Sequence, residues 1–326
     1  MKSRRNLILS AIVTSVALMG AGAGWAQDAY PAGPIRVVIP FPAGGSTDVI
    51  GRAVAQRLSE QLGQPVVVEN IGGASTMIGA ERVAKSAPDG YALLVASSTT
   101  FSTNPHLFKK MSYSIDDFTG ISLIAQSPLV LATALNAPFS TLKELVDYAR
   151  PRPGKVTYGT TGRGGIAHLT GEMAANVLGI KMTDVPYKGS APALTDVMGG
   201  HLPIHVDSAA TSLPLLNAGK IKVMAITTAK RAEAAPNVPT FVESGYPDMV
   251  VATLIGLFAP AKTPRPIVER LNAAMKNVLA NPELLARFRP EATIAQWTTP
   301  EEQIRMFKSD RDRFGEIMKT MNIEMQ

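Results

Sequence analysis

The stretch that most constrains the fold is Ile35-Arg-Val-Val-Ile-Pro-Phe-Pro-Ala-Gly-Gly-Ser-Thr-Asp48. Its apolar, β-branched start reads as a buried strand. Pro40 and Pro42 stop a sheet ladder and stiffen the exit. Ala43, Gly44, Gly45 and Ser46 form a small turn, and Ser46 or Thr47 can cap the helix that follows. From Asp48 on, Val49, Ile50, Ala53, Val54 and Leu58 fall at helical spacing. A strand, a glycine turn and a helix N-terminus make a geometry that holds anions on backbone N–H groups. It is also the geometry of an ordinary βα turn. No lysine follows the glycines, so this is not a Walker phosphate loop, and the spacing does not fit a dinucleotide fingerprint.

The same logic recurs along the chain. Strand signals at Pro65–Glu69 and Tyr91–Ala96 flank a helical stretch from Met77 to Ser86. This βαβαβ order predicts a parallel sheet with helices on its faces, whose ligands sit beyond the carboxyl ends of the strands. The turns at Ala43–Thr47 and Ser97–Thr100 both lie at such ends and are expected to converge. Strands follow at Phe118–Ile124 and Leu129–Thr133, around Ser127-Pro128. A second unit repeats the pattern: strand Val156–Tyr158, glycine turn Gly159–Gly165, helix from about Ala167 to Leu178. Beyond it come strands at Met182–Pro186, Ile204–Val206 and Lys222–Thr227, with helices at Ala191–Gly199 and Leu213–Ala218. Val250–Ala259 is strand-like, and three proline-headed helices from Pro264, Pro282 and Pro300 close the chain. These helices are expected to pack back on the first half, which gives two crossings between two lobes.

The ends and the composition narrow the class. Lys2, Arg4 and Arg5 precede an apolar run from Leu7 to about Gly24 that exits through Gly24-Trp25-Ala26, the pattern of a secretory signal peptide over residues 1–26. The chain has no cysteine, which excludes a lipoprotein signal and disulfides and points to a soluble periplasmic protein. Loss of the leader's three basic residues lowers the formal charge from +6 to +3, so little of the basic pI bears on ligands. No basic-aromatic cluster suggests nucleic acid, and no second long apolar run suggests a membrane span. The four histidines, His106, His168, His201 and His205, lack metal-ligand spacing, and no metal or other cofactor is expected. A hydrolase built on Ser46 or Ser190 with His168 lacks a Gly-x-Ser-x-Gly elbow, so the chain is read as not an enzyme.

Four motifs then read together: Pro40–Asp48, Ala87-Pro-Asp-Gly-Tyr91, Pro186-Tyr-Lys-Gly-Ser-Ala-Pro-Ala193 and Gly256-Leu-Phe-Ala-Pro260. With the leader, they resemble the tripartite tricarboxylate transporter substrate-binding family, the Bug or TctC receptors, over nearly the whole mature chain. The resemblance implies an α/β, two-lobed periplasmic binding protein of the Venus-flytrap kind, each lobe a mainly parallel sheet with flanking helices. Lobe 1 is expected at 27–130 plus 252–326, lobe 2 at 131–251, and the ligand cleft between them. The implied ligand is a small carboxylate: a di- or tricarboxylate, an amino acid or an aromatic acid. Partners would be inner-membrane transporter subunits or, alternatively, a sensor kinase, with the receptor itself a monomer.

The residues carried over by position are Phe41, Ala43, Gly44, Gly45, Ser46, Thr47 and Asp48 in the first loop and Thr99 and Thr100 at the third strand end. Gly162, Arg163, Gly164, Gly165 and Ile166 follow in the second loop, then Tyr187, Asp207, Ser208 and Thr253. Asp48 either touches ligand or caps backbone N–H groups. Asp207 either accepts from a ligand amino group or braces its turn. Lys188 is near the cleft or a surface charge, and His168 is read as structural. Where the family commonly has Asn and hydroxyls, this chain has Arg163, Gly165 and Ile166. Arg163 is expected either to replace the missing donors with a charge-assisted contact or to be a solvated loop residue. Met77, Ile166, Leu254 and Ile255 suggest a more apolar distal pocket, hence an acid with an apolar body.

Overall fold

The structure, a computed structural model, describes residues 30–320. Residues 1–26, expected to be a signal peptide, lie outside the described residues. The chain divides into a unit ending at Ala32 and a unit from Gly33 onward, and every element below belongs to the latter.

Strand β1 (Ile35–Ile39), helix α1 (Ser46–Leu62), strand β2 (Val66–Asn70), helix α2 (Met77–Ala84) and strand β3 (Ala92–Ser97) form the expected opening. β1 pairs parallel with both β2 and β3. After a π-helical turn at Thr99–Thr103 and a short helix α3 (Asn104–Leu107), the chain enters β4 (Phe118–Thr133). The sequence reads β4 as two strands; it is one of 16 residues. The second half holds α4 (Leu142–Ala149), β5 (Val156–Thr160), α5 (Ile166–Leu178), β6 (Met182–Pro186), α6 (Ser190–Met198), β7 (Ile204–Ser208), α7 (Ala209–Asn217) and β8 (Lys222–Ile226). β9 (Ala252–Pro260), α8 (Arg265–Leu279), α9 (Pro282–Phe288), the two-residue β10 (Ile294–Ala295) and α10 (Pro300–Thr320) complete it.

Two sheets meet on β4. Its first stretch, Phe118 to Pro128, pairs antiparallel with β9, which continues to β3, β1 and β2. Its last stretch, Leu129 to Thr133, pairs antiparallel with β7 and β8, and β7 continues to β5 and β6. The parallel part of each sheet is thus its outer three strands, and the seam is antiparallel. Pro128, which has no N–H to donate, sits where β4 changes partners.

Side-chain alternation explains why β4 is a continuous apolar run. Leu129 and Leu131 join one core with Tyr158, Ile204 and Val206, while Val130 and Ala132 join another with Leu194, Leu213 and Ile226. The second sheet is buried on both faces. The first half has its own core, in which Phe101 meets Tyr113, Phe118, Phe258 and Phe307 edge-to-face with ring centroids 4.8–5.9 Å apart.

The C-terminal helices return to the first half as expected, with one difference. Phe307 of α10 lies in the first core, but Phe314 and Met318, two and three turns on, lie in the second. The halves are therefore joined by three segments, β4, β9 and α10, rather than two.

Candidate functional site

A cavity of about 60 Å³ lies at the carboxyl ends of β1 and β3 and, across the seam, of β5, β6 and β7. This is where ligands sit in open α/β sheets. Its wall includes Phe41, Gly45, Ser46, Thr47, Thr99 and Ile166, together with Asp207, Ser208 and Thr253. All nine are among the residues read from the sequence. Pro42, Ser97, Leu129, Thr161, Ala167, Gly189 and Ser190 line it as well. The two turns expected to converge, at Ala43–Thr47 and Ser97–Thr100, both reach it.

Three helices present their N-termini here, and each has glycine as its N-cap: Gly45 for α1, Gly165 for α5 and Gly189 for α6. None of the three has a side-chain cap. This corrects the expectation that Ser46 or Thr47 caps α1. A glycine N-cap brings no side chain of its own to the first-turn N–H donors; in α5 Thr99 Oγ1 takes the Ile166 N–H, and the other donors are able to face a ligand. Aligned N–H groups and the positive ends of the helix dipoles favour an anion. At Gly189 the backbone needs glycine, because φ is +115°.

The first loop is held by Asp48. Its Oδ2 accepts from the Gly44 N–H at 2.9 Å, and its Oδ1 accepts from Arg52 Nε and from Asn70 Nδ2, both at 2.8 Å. Asn70 also donates to the Phe41 carbonyl at 3.0 Å. Asp48 is buried, does not line the cavity and braces the loop against the end of β2.

The two halves touch across the cavity. Thr99 Oγ1 accepts from the Ile166 N–H at 3.3 Å, and Thr103 Oγ1 donates to the Gly164 carbonyl at 3.0 Å. Gly164 is one of two glycines whose freedom the turn requires. Its φ is +82°, and a Cβ there would meet Leu107 Cδ1 at 2.7 Å.

Asp207 is the buried charge of the site. Ser190 Oγ donates to its Oδ1 at 2.6 Å, and Thr211 Oγ1 and Ser212 Oγ donate to its Oδ2 at 2.6 and 2.7 Å. His205 donates from Nδ1 to the Gly159 carbonyl at 2.8 Å and turns Nε2 toward Asp207 Oδ1 at 3.5 Å. Burial pushes the Asp207 carboxyl up, but the charge of His205 and the donating hydroxyls outweigh it and hold it below the usual carboxylate range. Its oxygens are thus occupied by three hydroxyls, and Ser190 lines the cavity beside it.

Several sequence expectations are not met by the geometry. Arg163 makes a two-pronged pair with Asp184, Nε to Oδ2 at 2.9 Å and Nη2 to Oδ1 at 3.2 Å, and lines only an outer cleft. It does not replace the missing donors of the cavity. Tyr187 donates to Asp196 at 2.7 Å and stands outside the wall. Thr100 is fully buried behind it, and Ala43, Gly44, Gly162 and Gly164 also do not line it. Met77 and Leu254 pack in or against the first core rather than lining a distal pocket, and Ile255 is fully buried in β9; of that set only Ile166 reaches the cavity. Among the described residues no cluster of His, Asp or Glu is placed to hold a metal, and no helix is long and apolar enough to cross a membrane.

Residues 50–323 match the tripartite tricarboxylate transporter family receptor. The chain belongs to that family. A sequence relative is protein BugT of Bordetella pertussis, 32% identical over 98% of both chains. Among solved structures, the periplasmic binding protein BugD is 34% identical, with a TM-score of 0.87 over 91% of this chain and 100% of that one. Rpa4515 of R. palustris, solved with adipate, is 34% identical with a TM-score of 0.88 over 91% and 100%. MatC of Rhodopseudomonas palustris, solved with malate, is 30% identical with a TM-score of 0.82 over 88% and 99%. The receptor is thus a two-lobed binding protein of the α/β class.

Within that receptor fold, what sequence reasoning missed has a common cause. Leu129 and Ala167 carry no chemical signal, and Ser97 and Thr161 differ from neighbouring hydroxyls only in the way they face. Gly189 and Ser190 were within reach, because both stand in the Pro186–Ala193 motif. His168 is structural: its Nδ1 accepts from the Gly164 N–H at 3.3 Å. Ser190 donates to a carboxylate, not to an imidazole, so it is not arranged as an activated nucleophile.

Proposed function

We propose that this receptor captures a small carboxylate in the periplasm and delivers it to the inner-membrane subunits of a tripartite tricarboxylate-type transporter. The observation that carries this is the convergence of three helix N-termini, all capped by glycine and none by a side chain, on one cavity. Such a cavity offers several backbone donors to one anion, which is what makes a desolvated carboxylate tolerable. The adipate and malate of the two R. palustris relatives are ligands of that chemistry. The receptor acts as a monomer without catalysis, is exported by the leader at residues 1–26, and closes lobe 131–251 on the lobe formed by 27–130 and 252–326. The partner switch of β4 between Pro128 and Leu129 supports a hinge there.

A thermal-shift panel of di- and tricarboxylates, amino acids and aromatic acids tests this. A ligand at a hundredfold excess over its Kd stabilises the folded state by about 2.7 kcal/mol. For a chain of this size that raises Tm by roughly 4 °C. A flat response to every acid, with turnover of a model ester, would replace the receptor reading with an enzyme.

A further inference from the structure

A second cavity backs onto the first. The antiparallel register of β4 and β9 sets Pro128 opposite Ala252 and Ser127 opposite Thr253. Successive residues of a strand face opposite ways. Leu129 and Thr253 line the inner cavity, whereas Gln126, Pro128 and Ala252 line a cleft of about 640 Å³ on the other face of the same two strands. The two spaces share no lining residue. Both halves build the rest of the cleft. The loop after β8, Thr227 to Ala234, comes from one, and residues between Arg289 and Ile294 come from the other. An occupant there touches both halves at the strands that join them.

The wall says what would fill it. Small-molecule sites measure roughly 300–1,000 Å³ and favour boundaries of this kind. Hydrocarbon dominates: Pro128, Val251, Ala252 and Ala292 stand with Val250 and Ile294, two large apolar side chains that the fold leaves 38% and 62% exposed. Ile294 is held there by its pairing with Gln126. The charges are uneven. Arg231 is occupied by Glu243, Nε to Oε2 at 2.8 Å. Lys230 and Arg289, both exposed and one from each half, have no ion pair among the described residues, and Glu233 is the one acid among the lining residues. Two free cations against one acid leave a single positive charge. Thr228 and Thr293 of the same wall hold hydroxyls without a hydrogen-bond partner among the described residues. An apolar body with one negative charge matches these features, whereas a di-acid would set its second carboxylate against hydrocarbon.

We propose that this cleft is a second binding site, behind the first, for a monocarboxylate with an apolar body, and that Lys230 and Arg289 draw its carboxylate. The site stands independently of what the inner cavity takes.

Methyl NMR spectra of the purified protein locate the site without a variant, because Ile294, Val250 and Val251 line the cleft and Ile166 lines the inner cavity. Titration with 3-phenylpropanoate is expected to move the methyl resonances of Ile294, Val250 and Val251. Shifts confined to Ile166, or no shift at millimolar acid, overturn the proposal. The Ile294 shift then gives a Kd into which acid bound in the inner cavity does not enter. 3-Phenylpropanamide keeps the body and loses the charge, and is expected to bind about three- to tenfold more weakly, the effect of two exposed ion pairs. In the double variant Lys230→Gln/Arg289→Gln the acid and the amide are expected to bind within about twofold of each other. Both side chains are exposed and free of ion pairs among the described residues, so the variant is expected to fold, which its own methyl spectrum checks. An amide that binds the unaltered protein as tightly as the acid overturns the proposal. So does an acid-to-amide ratio that survives intact in the double variant.

Discussion

The glycine N-caps can be tested by giving one of them a side chain of the ligand's own kind. Gly45 has φ −81° and ψ 165°, which any L-residue adopts. A Cβ there meets only the Pro42 carbonyl oxygen, at an ordinary 3.7 Å. Gly45→Asp would place a carboxylate where the first-turn N–H groups of α1 converge and would cap them from within. Aspartate and glycine differ as N-caps by only a few tenths of a kcal/mol, so the unliganded protein is expected to change in stability by less than about 1 kcal/mol. Binding is different. The new carboxylate takes donors from the ligand and opposes its charge. At about 4 Å and an effective dielectric of about 20 the repulsion is roughly 4 kcal/mol, close to a thousandfold in Kd. Gly45→Ala adds the same Cβ without the charge and is expected to bind within about fivefold of the unaltered protein. Gly165→Asp, whose Cβ also meets nothing closer than 3.6 Å, should repeat the result from the second half. The measurement is calorimetric Kd for the tightest acid of the panel, beside a thermal melt. A folded Gly45→Asp protein that binds within about fivefold of wild type would refute the role given to these N-termini.

Other expectations follow from the contacts around the site. Arg163→Ala should leave affinity within about twofold and shift Tm by no more than about 2 °C, because the Asp184 pair is exposed on the arginine side; a tenfold loss would restore Arg163 as a ligand contact. Asp48→Asn keeps the shape but turns an amide toward donors at Gly44, Arg52 and Asn70. It should cost about 2–4 kcal/mol by denaturant titration and weaken binding, since the loop it braces carries Phe41 and Gly45; an unchanged midpoint would contradict the bracing. Burial holds the His168 imidazole below its ordinary pKa, against the nearby Asp184 and Glu172 carboxylates and with the Arg163 charge. The unfolded chain therefore binds a proton at this residue first. The stability due to neutral His168 is full above about pH 6.5 and declines as pH falls toward the lower folded value. An NMR titration should show its midpoint below about 6.5, and His168→Gln should flatten the stability profile over that interval; a midpoint above it would reverse the sign.

What could be read in the chain was what local geometry decides. Strand, glycine turn and helix start within some fifteen residues of one another, so the loops at Gly45 and Gly165 were visible from spacing as strand–turn–helix units, either anion sites or ordinary βα turns. What the side chains of those loops do was not visible, because their partners are remote in sequence. Asp48 is satisfied by Asn70 at the end of the next strand, Arg163 by Asp184 and Tyr187 by Asp196. Each looked like a ligand group because it was polar, placed at a loop and without an apparent partner. Helix α7 shows the same limit on a smaller scale: it starts at Ala209, ahead of the apolar run at Leu213, because Ser208 caps it by accepting from Ala210 N–H.

The seam between the halves was the hardest part to read, and it is the part that function uses. Pro128 looked like a break between two strands, because proline removes a ladder hydrogen bond. In the fold the missing donor falls at the one point where β4 leaves β9 for β7 and β8, so the strand runs on. Thr227 meets the next residue on both sides: Leu129 N–H donates to Thr227 Oγ1 at 2.9 Å, and Thr227 N–H donates back to the Leu129 carbonyl at 2.9 Å. Helix α10 crosses the same boundary with Phe307 in one core and Phe314 and Met318 in the other, which periodicity does not reveal, since all three fall on one apolar stripe. If the halves close on a ligand as proposed, two strands and a helix bend together at this boundary. The glycine-capped N-termini of α1 from one half and of α5 and α6 from the other meet at the cavity beside it. On the carboxylate reading proposed above, one carboxylate at the cavity accepts from both halves at once.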